Sequence, residues 1–173
     1  MSVLSAECLD LSVPDSARAW RPLEPLPTWH NGSAAPVVGG NLFLPVAYGA
    51  DTDKTYWPRG DRWLGWAGEP GREPRDRPGV AALANSIYVV GGAVGRELVG
   101  LVERWDGEVW SRVAPLAVPR EGPGCVAHGG KLWVIGGRGS GGTVECYCPD
   151  TDTWQLLEMK VGSPSVLYCD VMY

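Results

Sequence analysis

The sequence predicts an all-β chain made of repeated four-stranded units, with too few units to close a ring. Three observations predict it. Short apolar runs are punctuated throughout by turn-formers, 24 Gly and 15 Pro in 173 residues. A glycine pair recurs 45 residues apart, at Gly91-Gly92 and Gly136-Gly137. A tryptophan recurs at Trp20, Trp63, Trp110 and Trp154, in steps of 43, 47 and 44 residues. Repetition at such a period means units that cannot bury their apolar faces alone and do so on their neighbours.

Each element of a unit has its own signature. The first strand is built of small residues, Gly79-Val-Ala-Ala-Leu and Gly124-Cys-Val-Ala-His, which suits a crowded position near an axis. The second is a continuous apolar run, Ser86-Ile-Tyr-Val-Val and Lys131-Leu-Trp-Val-Ile, each ending on the glycine pair. Such a run reads as a strand buried on both faces. The pair itself permits positive φ and close backbone approach where the chain swings outward. Asn41-Leu-Phe-Leu-Pro-Val-Ala is the matching run of an earlier unit, without the glycines. Arg75 and Arg120 stand sixteen residues before the pairs, and His30 takes that place in the first unit. The third strand, Leu101-Val-Glu-Arg-Trp or Val144-Glu-Cys-Tyr, runs into a polar turn at Asp106-Gly107 or Pro149-Asp150-Thr-Asp, the composition that reverses a hairpin. Tryptophan opens the fourth. It and the second-strand aromatics Phe43, Tyr88 and Trp133 are the bulk expected between units. Four strands in about 45 residues is the size of a propeller blade.

Bulk properties limit function. Nine Trp against one Phe exclude a disordered chain of this Gly and Pro content. A formal charge of -5 disfavours nucleic acid and anionic membranes as main partners. No apolar run approaches the roughly 20 residues that span a bilayer. Met1-Ser-Val-Leu-Ser-Ala-Glu lacks the charged start and apolar stretch of a signal peptide. The odd set Cys8, Cys125, Cys146, Cys148 and Cys169 fits reduced thiols, and Cys146 and Cys148 would share one strand face. A cytoplasmic location is expected.

The order Arg, small-residue strand, Tyr or Trp, Gly-Gly, acidic-flanked strand, polar turn, Trp resembles the Kelch repeat. Ser86-Ile-Tyr-Val-Val-Gly-Gly, Lys131-Leu-Trp-Val-Ile-Gly-Gly and Pro149-Asp150-Thr-Asp-Thr-Trp154 carry the match. The resemblance implies a partial Kelch-type β-propeller: a half blade at 1–26, blades at 28–70, 72–116 and 118–160, and the first strand of another at 163–173. It further implies a non-catalytic protein-interaction module like the substrate-recognition region of the BTB-Kelch adaptors of cullin-RING ubiquitin ligases. The BTB domain is absent from this sequence, so no cullin contact is expected. A Kelch scaffold of the actin cytoskeleton is the alternative.

No catalytic, metal or cofactor site is expected. Gly136-Gly-Arg-Gly-Ser-Gly-Gly142 lacks the Lys-Ser/Thr ending of a phosphate loop and reads as a flexible connection. Arg59-Gly60-Asp61 reads as a turn. His30 and His128 fall in different units, which disfavours a copper-radical oxidase with its Tyr, Cys and paired His ligands. In the family that the motifs resemble, partner peptides lie across the rim of loops that lead into the first strand and follow the glycine pair. Transferred here, that rim offers Arg77, Arg96, Arg138, Tyr48 and Asp51, with the arginines able to fork onto an acidic peptide. Arg75 and Arg120, being repeated, read instead as structural.

Overall fold

The computed structural model describes residues 7–9, 11–12, 14–25, 34–44, 54–57, 62–65, 73 and 75–157. Tyr48, Asp51, His30, the Arg59-Gly60-Asp61 tripeptide and the strand expected at 163–173 lie outside these residues. Among the described residues there is no α-helix, only one 3-10 turn at Asp15–Ala17.

Every strand pairs antiparallel with its neighbours. β1 (Glu7–Leu9) and β2 (Trp20–Pro22) form a two-stranded sheet. β3 (Val37–Val38), β4 (Asn41–Leu44), β5 (Lys54–Trp57) and β6 (Arg62–Gly65) form the first four-stranded sheet, in chain order. The second consists of β7 (Gly79–Leu83), β8 (Ser86–Val90), β11 (Val102–Trp105) and β12 (Trp110–Val113). A small hairpin, β9 (Ala93–Val94) with β10 (Glu97–Leu98), is inserted after its second strand. The third sheet runs β13 (Gly124–His128), β14 (Lys131–Ile135), β15 (Val144–Cys148) and β16 (Thr153–Leu157).

Strand alternation decides which neighbour each side chain meets, because successive residues point to opposite faces. In β8, Ile87 and Val89 join Val80 and Phe43 on the side of the first sheet, with Trp105 and Trp110 packed beside them. The intervening Tyr88 and Val90 join Ala81, Leu132, Val134 and Tyr147 on the side of the third. All five residues of β8 are therefore buried, and the strand reads as one unbroken apolar run. β14 differs. Leu132 and Val134 are buried against the second sheet, whereas Trp133 and Ile135 on the opposite face are only half-buried.

The indoles tie each sheet to the chain before it. Trp154 donates Nε1–H to the carbonyl of Ala114 at 2.7 Å, and Trp63 donates to that of Glu24 at 2.8 Å. Trp110 lies 6.2 Å from Phe43 of the preceding sheet, ring centre to ring centre. Trp20 departs from this pattern at 65% exposed. Its sheet has only two described strands, so a neighbouring face like that met by Trp110 is missing among the described residues.

The segments between sheets are held by buried ion pairs. Arg75 and Glu103 meet at 2.6 Å, as do Arg120 and Glu145, with all four side chains at most 1% exposed. Glu145 also accepts the N–H groups of Ala117 and Val118, and Glu103 accepts that of Glu73. Each carboxylate thus fixes the linker that leads into its own sheet. The guanidiniums turn their remaining donors on backbone carbonyls: Gly91, Val89 and Glu73 for Arg75, Gly136, Thr143 and Val118 for Arg120. A buried charge is tolerable only with this degree of satisfaction.

Candidate functional site

The linkers end in loops that meet the post-glycine segments and build one rim of the assembly. Asp76 exchanges two backbone hydrogen bonds with Ala93, and Glu121 does the same with Arg138 one repeat later. The glycine pair makes room for this. A Cβ on Gly91 would lie 2.5 Å from the carbonyl oxygen of Arg120, one on Gly92 2.8 Å from that of Asp76, and one on Gly137 2.8 Å from that of Glu121. These glycines also have φ between 61° and 105°, the region L side chains avoid. Two further bonds cross between sheets, Gly92 N–H to Arg120 at 2.8 Å and Gly122 N–H to Arg77 at 2.7 Å. Neighbouring rim loops are consequently one hydrogen-bonded band.

Arg77 and Arg138 come together on this band, through a residue the sequence reading passed over. Glu121, only 7% exposed, accepts NH1–H of Arg77 on Oε1 at 2.9 Å. Its Oε2 accepts Nε–H of Arg138 at 2.7 Å and a second donor from NH2. Neither guanidinium is therefore the open fork expected from sequence. Both nonetheless remain more than 60% exposed. Arg96 sits at the exposed tip of the β9–β10 hairpin, apart from this cluster in the hydrogen-bond network. Glu121 was detectable only as the acidic residue next to a repeated arginine. Its partner Arg77 lies 44 positions away, and the chain itself carries no trace of that pairing.

The glycine-rich stretch after β14 is not a loose connection. Ser140, 3% exposed, accepts a bond from Gly142 N–H and donates to the carbonyl of Gly137, while Thr143 Oγ1–H donates to that of Ser140. A Cβ at Gly139 would collide with Leu98 of the inserted hairpin. The glycines here serve close packing of one sheet's loop on the next.

At the opposite end of the strands, Asp152 forms a second inter-sheet fastening. It accepts the N–H of Ala114 at 2.9 Å and the hydroxyl of Tyr147 at 2.7 Å. Both bonds hold its carboxyl below the usual aspartate range, the Ala114 N–H being the stronger influence. Burial, helped by Asp152, pushes the Tyr147 phenol well above its ordinary value. Among the described residues, Cys125, Cys146 and Cys148 are thiols outside any disulfide. Among the described residues no group of three His, Cys, Asp or Glu is placed to hold a metal, and no helix is long and apolar enough to cross a membrane.

The Kelch motif family model matches residues 74–117 and 119–158, the second and third sheets with their linkers. The mouse (Mus musculus) Kelch-like protein 35 is 29% identical over 150 residues, which cover 83% of this chain and 26% of that protein. Beta-scruin of Limulus polyphemus is 35% identical over 113 residues, 56% of this chain and 12% of its own. The chain thus spans about a quarter or less of the length of these relatives. Among solved structures, that of YjhT superposes with a TM-score of 0.73 at 17% identity, over 94% of this chain and 61% of that one. That likeness shows a shared fold. Three stacked four-stranded sheets, the buried Arg–Glu linker locks and the crowded glycine corners make this chain a Kelch-repeat region, part of a β-propeller, that resembles the Kelch-like proteins.

Proposed function

We propose that the chain is a non-catalytic protein-interaction module whose binding surface is the loop rim, and that it serves as the substrate-recognition part of a Kelch-like adaptor for a cullin-RING ubiquitin ligase. The observation that carries the first half is the division of labour between strands and loops. Both faces of β8 are consumed by packing, and the repeated arginines are buried in linker locks. The rim itself presents exposed charged groups to a partner at Arg77, Arg96 and Arg138. Loops held by a packed scaffold are where such folds place recognition. The adaptor half rests on likeness to Kelch-like protein 35 over most of the chain, and fold alone does not fix function.

Affinity capture with the 173-residue chain, followed by mass spectrometry, tests both halves. Recovery of a discrete protein that is lost when rim residues are substituted supports the module. Co-recovery of cullin machinery with a BTB-containing form but not with this chain supports the adaptor. Direct recovery of actin by this chain replaces the adaptor with a cytoskeletal scaffold.

A further inference from the structure

We propose that Tyr88, Arg104, Tyr147 and Asp152 form a receptor for a carboxamide, the side chain of an asparagine or glutamine on a partner protein. It lies where the second and third sheets meet, at the end of the strands opposite the rim. The site is separate from the rim, and the two readings stand or fall independently.

The first observation is a hydroxyl without a partner. Tyr88 is 2% exposed, and its ring packs on that of Tyr147 at 5.7 Å. Its hydroxyl makes no hydrogen bond to any described residue, although polar groups on buried side chains are normally paired. The equivalent rings behave differently. Phe43 has no polar atom, and Trp133 donates Nε1–H to the carbonyl of His128 at 3.2 Å. Burial raises the Tyr88 phenol above its ordinary value, with Arg104 opposing the rise and Asp152 adding to it. The hydroxyl is therefore a donor at neutral pH.

The second observation is a guanidinium with donors to spare. Arg104 stands directly across from Tyr88 in the antiparallel pair of β8 and β11, so both side chains face the third sheet. Its Nε–H donates to Ser86 Oγ at 3.1 Å, and NH1 and NH2 bond to no described residue. The matching register positions hold Thr55 opposite Phe43 and Cys146 opposite Trp133. The other two four-stranded sheets therefore do without a guanidinium or a phenol here. Only the second brings both.

The third sheet supplies acceptors. Tyr147 gives its hydroxyl proton to Asp152 Oδ1 at 2.7 Å, so its own oxygen keeps lone pairs to offer. Asp152 is exposed, and both bonds it accepts fall on Oδ1, which leaves Oδ2 open. Donors on one sheet thus stand beside acceptors on the next. A carboxamide carries a carbonyl oxygen and an NH2 group in one plane. Its oxygen suits Arg104 and Tyr88, and its nitrogen suits Tyr147 and Asp152. A carboxylate has no donor for that second half and is repelled by Asp152. The exposed Asp106, two residues beyond Arg104, further offsets the guanidinium charge. An ammonium group meets the opposite conflict, with Arg104. The neutral group with both functions is the one that fits.

Propionamide and propionate, the side chains of glutamine and glutamate without their backbone, are the probes. Each is titrated at constant ionic strength into the chain labelled with carbon-13 at the tyrosine Cζ positions. Tyr88→Phe and Arg104→Thr install the residues that the first sheet already uses at these places, and the first also assigns the Tyr88 signal. Propionamide is expected to shift the Tyr88 and Tyr147 signals saturably, with a dissociation constant of about 10 mM for so small a ligand. Propionate should bind at least about tenfold more weakly. The Tyr147 signal should report about fivefold weaker propionamide binding in Tyr88→Phe and about tenfold weaker binding in Arg104→Thr. Tyr88→Phe should nonetheless unfold at the parent temperature or above it, since the hydroxyl it removes bonds to nothing in the fold. Shifts that do not saturate, propionate binding as tight as that of propionamide, or propionamide binding unchanged in both variants each overturn the proposal. So does a lowered unfolding temperature of Tyr88→Phe, which would assign the hydroxyl to the fold.

Discussion

Replacing Glu145 with glutamine isolates the charge of one linker lock from its volume. Glu145 is fully buried, with Arg120 NH2 and Val118 N–H on Oε1 and Ala117 N–H on Oε2. Glutamine offers one acceptor oxygen where two are in use. Either the buried guanidinium loses an acceptor, or the new amide N–H faces the N–H of Ala117. Breaking a buried pair from one side costs about 3 to 5 kcal/mol, chiefly because a charge is left uncompensated. Here Arg120 keeps the carbonyls of Val118, Gly136 and Thr143 and the hydroxyl of Thr143, which places the expected loss near the lower limit, about 3 kcal/mol. With a urea m-value of about 2 kcal/mol per M, the midpoint falls by about 1.5 M at unchanged slope. Urea unfolding followed by both tryptophan fluorescence and circular dichroism reads this directly. Arg112→Ala is the control, because Arg112 and Glu73 pair at 3.3 Å in the open, and such pairs contribute at most about 1 kcal/mol. A Glu145→Gln midpoint no lower than that of Arg112→Ala would refute the argument that the carboxylate anchors the linker.

Three further outcomes are expected. Gly91→Ala and Gly95→Ala share a φ of 61°, but a Cβ at Gly95 meets nothing within 4 Å whereas one at Gly91 strikes the carbonyl of Arg120. Gly95→Ala should then lose about 1 kcal/mol from backbone strain, and Gly91→Ala several more; equal denaturation midpoints would contradict the crowding argument. Asp152→Asn should be less stable than the parent at neutral pH. Because the folded-state pKa of Asp152 is depressed, its contribution is present above the ordinary aspartate range and disappears as pH falls through the lowered value. The gap between the two proteins must therefore close with acidification, and a gap that is constant in pH would count against the Ala114 and Tyr147 bonds as its source. Trp154→Phe removes the indole bond to Ala114 and alters a ring contact with Tyr147 at 4.9 Å. A loss of about 1 to 2 kcal/mol in thermal or chemical unfolding is expected, and none at all would show that the indole N–H is dispensable for docking the sheets.

What the sequence determined by itself is whatever depends on local pattern and period. The apolar run of β8, the small residues of β7 and β13 and the 45-residue step of the glycine pairs follow from strand alternation and stacking, because a strand covered on both faces buries successive side chains and so favours apolar ones. Tertiary structure alone decided the pairings. Glu103 lies 12 residues beyond Gly91, while Glu145 lies 9 beyond Gly136, because the β9–β10 hairpin lengthens one copy. This uneven spacing obscures the fact that the two glutamates occupy equivalent places and meet equivalent arginines, Arg75 for Glu103 and Arg120 for Glu145. Glu121 shows the same limit on the rim. Two arginines that look like independent open forks in the sequence are joined by one buried carboxylate, since adjacent sheets bring residues 77, 121 and 138 to a common point. A linear pattern records which residue types recur, whereas the partner of a charge is fixed by which loops the stacked sheets set side by side.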